Sequence, residues 1–123
     1  MEADIILGNK LIAEYLVGKT AEYLKSTIND SGATFASGEN LMYESMLYAG
    51  YYEDFRFHKD YNSIIKVLVK LKPELELLND KTGEFDKKEQ IGLILMSLDM
   101  WLCEYDITKL WEYVLDGIKI LKS

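Results

Sequence analysis

The polar residues best placed for chemistry are Arg56, His58 and Asp60, which lie close together in the chain. Histidine is the natural proton shuttle near neutral pH, and the backbone N–H groups at the start of a helix attract anions. This segment can therefore be interpreted as an acid/base site or an anion-binding corner. It can also be a capping aspartate at a helix start, beside a histidine that bonds to local backbone. We favour the capping interpretation, because short motifs often match by chance.

Other catalytic and metal-binding chemistries find little support. Cys103 lies in the most apolar segment, where a thiol is unreactive, so a Cys103–His58 nucleophile and base pair is disfavoured. One cysteine and one histidine are too few for a Cys/His zinc site. Around Gly83, the spacing of a calcium loop places Leu78 where an aspartate ligand is required. We therefore predict no catalytic residue, no metal and no cofactor.

Charge narrows the possible partners. The chain of 123 residues has 21 acidic and 14 basic residues and a net charge of −7, and Arg56 is its only arginine. Negative charge repels nucleic acids and membrane surfaces, and arginine makes the commonest specific contact with guanine in duplex DNA. The longest apolar stretch, residues 91–103, is shorter than the ~20 residues of a membrane span. With an acidic start unlike a secretory signal, the sequence predicts a cytoplasmic protein without duplex nucleic acid or membrane partners.

Aromatic residues crowd into the segment from Tyr43 to Phe57. Tyrosine is enriched in protein interfaces, and aromatic rings beside lysines also stack on nucleotide bases. The alternative is that these rings form the two faces of a small sheet packed on helices. Since a domain of this size does not easily bury them all, we expect some to be exposed and to bind a partner. The candidate binding residues are Tyr48, Tyr51, Tyr52, Arg56, His58 and Asp60.

The same aromatic segment determines the predicted fold class. Aromatic enrichment, partial alternation and breaks at Gly38 and Gly50 predict a small antiparallel sheet or hairpin over residues 34–57. Helical periodicity elsewhere predicts four to five helices packed with this sheet. The sequence therefore predicts a single α+β domain over residues 1–123.

Turn and capping residues place the helix ends. A first helical segment is expected to end or kink at Gly18, with Thr20 capping the next helix. A helix over residues 60–72 is expected to start at Asp60 and to stop at Pro73. Residues 74–85 remain open between an edge strand and a helical turn. The clearest helices span residues 87–104, opened by Asp86 and Glu89, and 107–121, capped by Asp106.

The helix at 87–104 is apolar nearly all round. One stripe contains Ile91, Ile94, Leu95 and Leu98, and the opposite side carries Leu93, Met96, Met100 and Cys103. A helix that is apolar on every side is buried, which a small domain achieves either with a sheet on one side or with a second subunit. We therefore predict a homodimer interface at Leu93, Met96, Met100 and Cys103.

Three segments of the chain carry the last pattern: residues 9–16 (NKLIAEYL), 57–64 and 106–119. The first resembles the N-K-L-I-A-E-F-M opening of a family of small uncharacterised proteins of Bacteroidetes genomes and their phages. Residues 57–64 resemble its Y-H-x-S-W-D-W-L motif, and residues 106–119 resemble its closing helix. Tyr61 and Ser63 replace the two tryptophans of the middle motif. The resemblance implies an α+β domain with phage association and brings no activity.

Together these observations predict a non-enzymatic, phage-associated cytoplasmic protein that binds another protein, with a basic target as the natural complement of its acidic surface. An alternative is an oligomer that binds or sequesters a small nucleotide, with Arg56 and His58 near the ligand. A third hypothesis is an enzyme that uses His58 and Asp60, which we rank last.

Overall fold

The computed structural model describes residues 3–31, 40–104 and 106–123, and the side chains of 27–31, 40 and 101–104 are outside this description. The described chain contains six α-helices: α1 (Ala3–Val17), α2 (Ala21–Ser31), α3 (Asn40–Ala49), α4 (Tyr61–Lys81), α5 (Phe85–Glu104) and α6 (Ile107–Lys122). A short 3₁₀ turn spans Tyr52–Asp54. The chain divides into two compact units, Met1–Arg56 and Phe57–Ser123. This division does not test the single domain expected over residues 1–123, which stays a prediction.

The predicted α+β fold is wrong for the residues described, which contain no strand. Within the expected sheet at 34–57, residues 40–49 form α3, and residues 34–39 lie outside the description. Among the described side chains of α3, those of Tyr43, Glu44 and Leu47 are buried. Neighbours such as Tyr43 and Glu44 point to opposite faces of a strand, whereas positions i, i+1 and i+4 share one side of a helix. Neither face of the alternating sequence pattern is polar, so the alternation did not distinguish a strand from a helix.

A glycine ends α3 where the sequence suggested a break between strands. Gly50 has a φ of +84°, a conformation that glycine adopts without strain. The N–H groups of Gly50 and Tyr51 both donate to the Met46 carbonyl, at 2.9 and 3.1 Å. These bonds satisfy the free carbonyl at the end of the helix. The aromatic residues that follow therefore leave α3 through a tight turn.

The first unit is built from α1, α2, α3 and the 3₁₀ turn, in which α3 contacts both other helices. Gly18, with a φ of +79°, ends α1 as predicted. The Thr20 hydroxyl accepts a hydrogen bond from the Tyr23 N–H at 3.1 Å, which confirms the predicted cap of α2. The core of this unit contains apolar side chains from the three helices and from Phe55, which follows the 3₁₀ turn: Ile12, Ala13, Tyr15, Ala21, Leu24, Tyr43, Leu47 and Phe55.

The second unit consists of α4, α5 and α6, each of which contacts the other two. The Asp106 carboxylate accepts from the N–H groups of Thr108 and Lys109, confirming the predicted start of α6. The helix α5 begins at Phe85, so Asp86 lies in its first turn instead of capping it. Buried apolar residues from all three helices form the core: Ile64, Val67, Leu71, Leu75, Ile91, Leu98, Leu110, Val114 and Ile118.

The predicted stop at Pro73 is wrong, because α4 continues through this residue to Lys81. An internal proline removes one backbone hydrogen bond and costs about 3 kcal/mol or more. Pro73 and Val69, whose carbonyl loses its donor, are both exposed, so water can reach that carbonyl. Leu71 and Leu75 lie four residues apart on either side of Pro73 and are fully buried. Their burial favours continuation of the helix. Residues 74–81, left open between strand and helix by the sequence, are therefore helical.

Candidate functional site

The three candidate tyrosines do not form one exposed patch. Tyr51 is 62% exposed just after Gly50, whereas Tyr48 and Tyr52 are only partly exposed. The Lys10 ammonium lies 5.3 Å from the centre of the Tyr52 ring, a cation–π arrangement. Burial acts to lower the pKa of Lys10, but its hydrogen bond to Glu22 and the nearby carboxylates raise that pKa above 10.5. Tyr52 is therefore engaged within the first unit, and Tyr51 alone remains largely available.

Most of the other described aromatic residues of this segment belong to the core. Tyr43, Phe55 and Phe57 are buried, and the rings of Tyr43 and Phe55 lie 6.1 Å apart. Phe55 is also fixed through its backbone, because the buried Asn9 amide donates to the Phe55 carbonyl at 3.2 Å. These three aromatic residues thus serve to build the fold, and binding through Tyr48, Tyr51 and Tyr52 stays a prediction.

Arg56, His58 and Asp60 fall on both sides of the division between the units. Arg56 ends the first unit and is exposed, while His58 and Asp60 belong to the second. The Asp60 carboxylate accepts from the Asn62 N–H at 3.0 Å and from the Ser63 hydroxyl at 2.9 Å. One carboxylate oxygen therefore caps α4 through the Asn62 N–H, as the simpler interpretation expected, and the other oxygen is held by the Ser63 hydroxyl.

His58 is partly buried immediately before that cap. Burial, and then the positive charge of Lys59, lower the pKa of His58 below 6.5. Both causes disfavour the imidazolium form, so the side chain is predominantly neutral at neutral pH. This environment is explained by packing beside a lysine and requires no bound anion.

The predicted oligomer residues form an exposed apolar surface on the second unit, where α4 also exposes Ile65, Val69 and Leu77. Leu93, Met96 and Met100 are 52%, 53% and 51% exposed on one side of α5. We call these three residues, with the helix position of Cys103, the α5 face; the Cys103 side chain lies outside the described residues. Their spacing of three, four and three residues places them along one side of the helix. Leu93, Met96 and Met100 are thus exposed together, and the predicted role of this surface as a dimer interface stays a prediction.

An open cleft of about 490 Å³ borders the α5 face. Leu93 belongs to both, and the cleft lies along α5 and the C-terminal half of α6. Its lining combines apolar and polar side chains: Gln90, Leu93, Ile94, Asp116, Lys119, Ile120 and Ser123. A pocket of this kind can receive an apolar side chain while polar groups at its edge orient the ligand.

The sequence interpretation missed a partly buried ion pair in the first unit. The Glu44 side chain is only 2% exposed, and its carboxylate lies 3.1 Å from the Lys19 ammonium. Lys19 follows Gly18 in the turn between α1 and α2, while Glu44 lies on α3. The Glu14 carboxylate also accepts from the Ala21 N–H at 2.8 Å, so acidic side chains fix both sides of this turn. The helical spacing of Tyr43, Glu44 and Leu47 is the sequence signal that could have placed Glu44 on the inner side of α3.

Comparisons with known proteins bring no further assignment. No family model, curated protein or solved structure matches the chain. The resemblance to Bacteroidetes and phage proteins therefore stays a prediction. Among the residues that the structure describes, no group of three or more His, Cys, Asp or Glu side chains is arranged to hold a metal ion. The described helices include none with both the length and the apolar character needed to cross a membrane.

Proposed function

We propose that this chain is a non-enzymatic cytoplasmic protein that acts by binding another protein through the α5 face. The observation that supports this proposal is the row of Leu93, Met96 and Met100, each about half exposed. Contiguous exposed apolar surface commonly marks an interaction site, and methionine adapts its shape to different partners. Phage association is part of the proposal and rests on the resemblance of three short segments.

The cleft beside the α5 face supports a protein ligand. Interfaces draw most of their affinity from a few anchor side chains that fill pockets. Leu93 and Ile120 provide an apolar lining for such an anchor, and Asp116 and Lys119 supply charged groups at the same cleft. The arrangement suits an amphipathic helix that lays its apolar side along α5.

The acidic surface around Tyr51 favours a basic partner. Tyr51, Glu53 and Asp54 are all exposed at the 3₁₀ turn, and the whole chain carries a net charge of −7. Complementary charge accelerates encounter and selects partners. We therefore propose that this surface of the first unit, separately from the α5 face, binds a basic protein. The nucleotide-binding alternative stays a prediction, since the described contacts of Arg56 and His58 include no feature specific to a nucleotide.

The proposal is tested by affinity capture with matched variants. Met96→Ser with Met100→Ser removes apolar surface from α5, and Val69→Ser with Leu77→Ser removes exposed apolar surface from α4. We expect the wild-type chain and the α4 variant to recover the same partner from a cell extract, and the α5 variant to lose it. Equal recovery by both variants, with helical content unchanged by circular dichroism, would refute binding through the α5 face.

A further inference from the structure

We propose that a second copy of this chain covers the α5 face, with the two α5 helices packed antiparallel about a twofold axis. This inference rests on the proposed function, because it names the partner of the same surface. Its starting point is the spacing of Leu93, Met96, Met100 and Cys103, which follows the three-four alternation of a coiled-coil seam.

The rest of α5 leaves this seam free for a partner. Ile91 and Leu98 lie seven residues apart and are buried in the core of the second unit. Leu93 and Met100 are also seven residues apart, and both are half exposed. One helix thus carries two separate apolar stripes with the same repeat. The first stripe packs against α4 and α6, so the second has no place in the same core.

The exposed stripe is complementary to itself when the helices are antiparallel. With the twofold axis beside Leu98, Met96 of one copy lies at the level of Met100 of the other. In the same register, Leu93 lies at the level of position 103, which places a large residue opposite a small one. Every apolar position of the α5 face then meets another apolar position. A twofold interface requires this kind of self-complementary surface.

Charge favours the antiparallel arrangement over a parallel one. Position 104, a glutamate, lies beside the stripe, whereas Asp99 on its other side is already paired with Lys72. Parallel helices would bring position 104 alongside its own copy, where like charges repel. In the antiparallel register, Asp99 falls at the level of Ser97 and position 104 falls at the level of Gly92. Gly92 has open space where a Cβ would stand, so a second helix can approach closely there.

The size of the α5 face predicts a weak dimer. A standard stable interface buries about 800 Å² on each partner. Leu93, Met96 and Met100 are already about half buried within their own chain, so the surface left for pairing is smaller than that. We therefore expect a dimer whose population depends on protein concentration.

Sedimentation equilibrium tests the association. We expect the mean mass of the wild-type chain to rise from 14.2 kDa towards twice that value as concentration increases into the hundreds of micromolar. Met96→Lys places a charge in the centre of the stripe and is expected to keep the chain monomeric. Val69→Lys, at a position 72% exposed on α4, is the matched control and is expected to dimerise normally. A wild-type chain that stays monomeric throughout, or dimers that tolerate Met96→Lys, would overturn the proposal.

Disulfide cross-linking tests the orientation. In the antiparallel register, Leu93→Cys faces the native Cys103 of the other copy, and we expect this variant to form a covalent dimer on mild oxidation. The two native Cys103 positions are ten residues apart along the helix, about 15 Å, which exceeds the reach of a disulfide. The wild-type chain and Leu93→Cys with Cys103→Ser should therefore remain uncross-linked. Efficient cross-linking of the wild-type chain would indicate parallel helices and contradict the inference.

The outcomes separate this inference from the proposed function. If the chain stays monomeric but captures a partner that Met96→Lys fails to capture, the α5 face binds a different protein and the self-association is wrong. If neither dimer nor captured partner depends on Met96, both proposals fail. A dimer that Met96→Lys disrupts, together with cross-linking of Leu93→Cys, supports the inference.

Discussion

Two glycines of the second unit allow the packing of α4 against α6 to be measured. Gly92 and Gly117 both lie inside helices, so alanine at either position gains about 1 kcal/mol of helix propensity. At Gly92 a Cβ would meet nothing within 4 Å. At Gly117 it would lie 3.0 Å from a methyl carbon of Leu71 and 3.1 Å from one of Leu75. Both leucines are fully buried and have little room to move away.

The two alanine substitutions should therefore have different effects on stability. Gly92→Ala is expected to raise the free energy of unfolding by about 1 kcal/mol. Overpacking in a core costs about 1–3 kcal/mol, so Gly117→Ala should range from nearly neutral to about 2 kcal/mol less stable than wild type. The difference between the two variants is then about 1–3 kcal/mol.

Urea unfolding followed by circular dichroism, at low micromolar concentration, gives both values by linear extrapolation. An unchanged slope with urea concentration shows that the midpoint shift reports stability. If Gly117→Ala stabilises the chain as much as Gly92→Ala does, the close approach of α6 to Leu71 and Leu75 is refuted.

Two further predictions concern titratable groups. The pKa of His58, the only histidine, should fall below 6.5 in an NMR titration and rise in Lys59→Gln. Since the unfolded chain then binds more protons, His58 should contribute a loss of stability as pH falls below 6.5; a pKa above 6.5 would contradict this. Lys19→Met leaves the buried Glu44 carboxylate without its ammonium partner. It should lower the free energy of unfolding by about 1–2 kcal/mol, because bonds to charged groups contribute about 1.5–3 kcal/mol and Lys19 is partly exposed.

An exposed ion pair provides the control for Lys19→Met. The Glu22 carboxylate pairs with Lys10 at 3.2 Å, but the Glu22 side chain is largely exposed to water. Exposed pairs contribute little to stability, so Glu22→Gln should leave the urea midpoint close to that of wild type. Equal effects of Glu22→Gln and Lys19→Met would mean that the burial of Glu44 does not strengthen its ion pair.

Three helix starts were predictable from sequence because their determinants are local. Thr20, Asp60 and Asp106 each cap a helix through a side-chain oxygen that accepts from an N–H two or three residues later. Such a bond needs no distant part of the chain. Pro73 shows the opposite case. Its local preference predicted a helix end, but burial of residues on both sides favours continuation, and that burial depends on α5 and α6.

The α3 segment was mispredicted because its aromatic residues were interpreted by propensity. Tyrosine and phenylalanine are enriched in strands, but much of that preference reflects packing against neighbours. Here Tyr43 packs from a helix against Phe55, which follows the 3₁₀ turn. The contact is formed across a turn fixed by Gly50 and by the Asn9 hydrogen bond, neither of which has a periodic signature.

The two predicted binding surfaces were not equally predictable from sequence, and tertiary packing explains the difference. Tyrosine rings fit either a core or an interface, so their exposure depends on tertiary packing, and of the three candidate tyrosines the structure leaves Tyr51 the most exposed. The α5 face was predictable because a helix buries one stripe in a three-helix unit. Once Ile91 and Leu98 supply that stripe, Leu93 and Met100 must lie towards the other side. In this chain the apolar surplus of α5 therefore lies partly at the surface, whereas Tyr43, Phe55 and Phe57 are in the core.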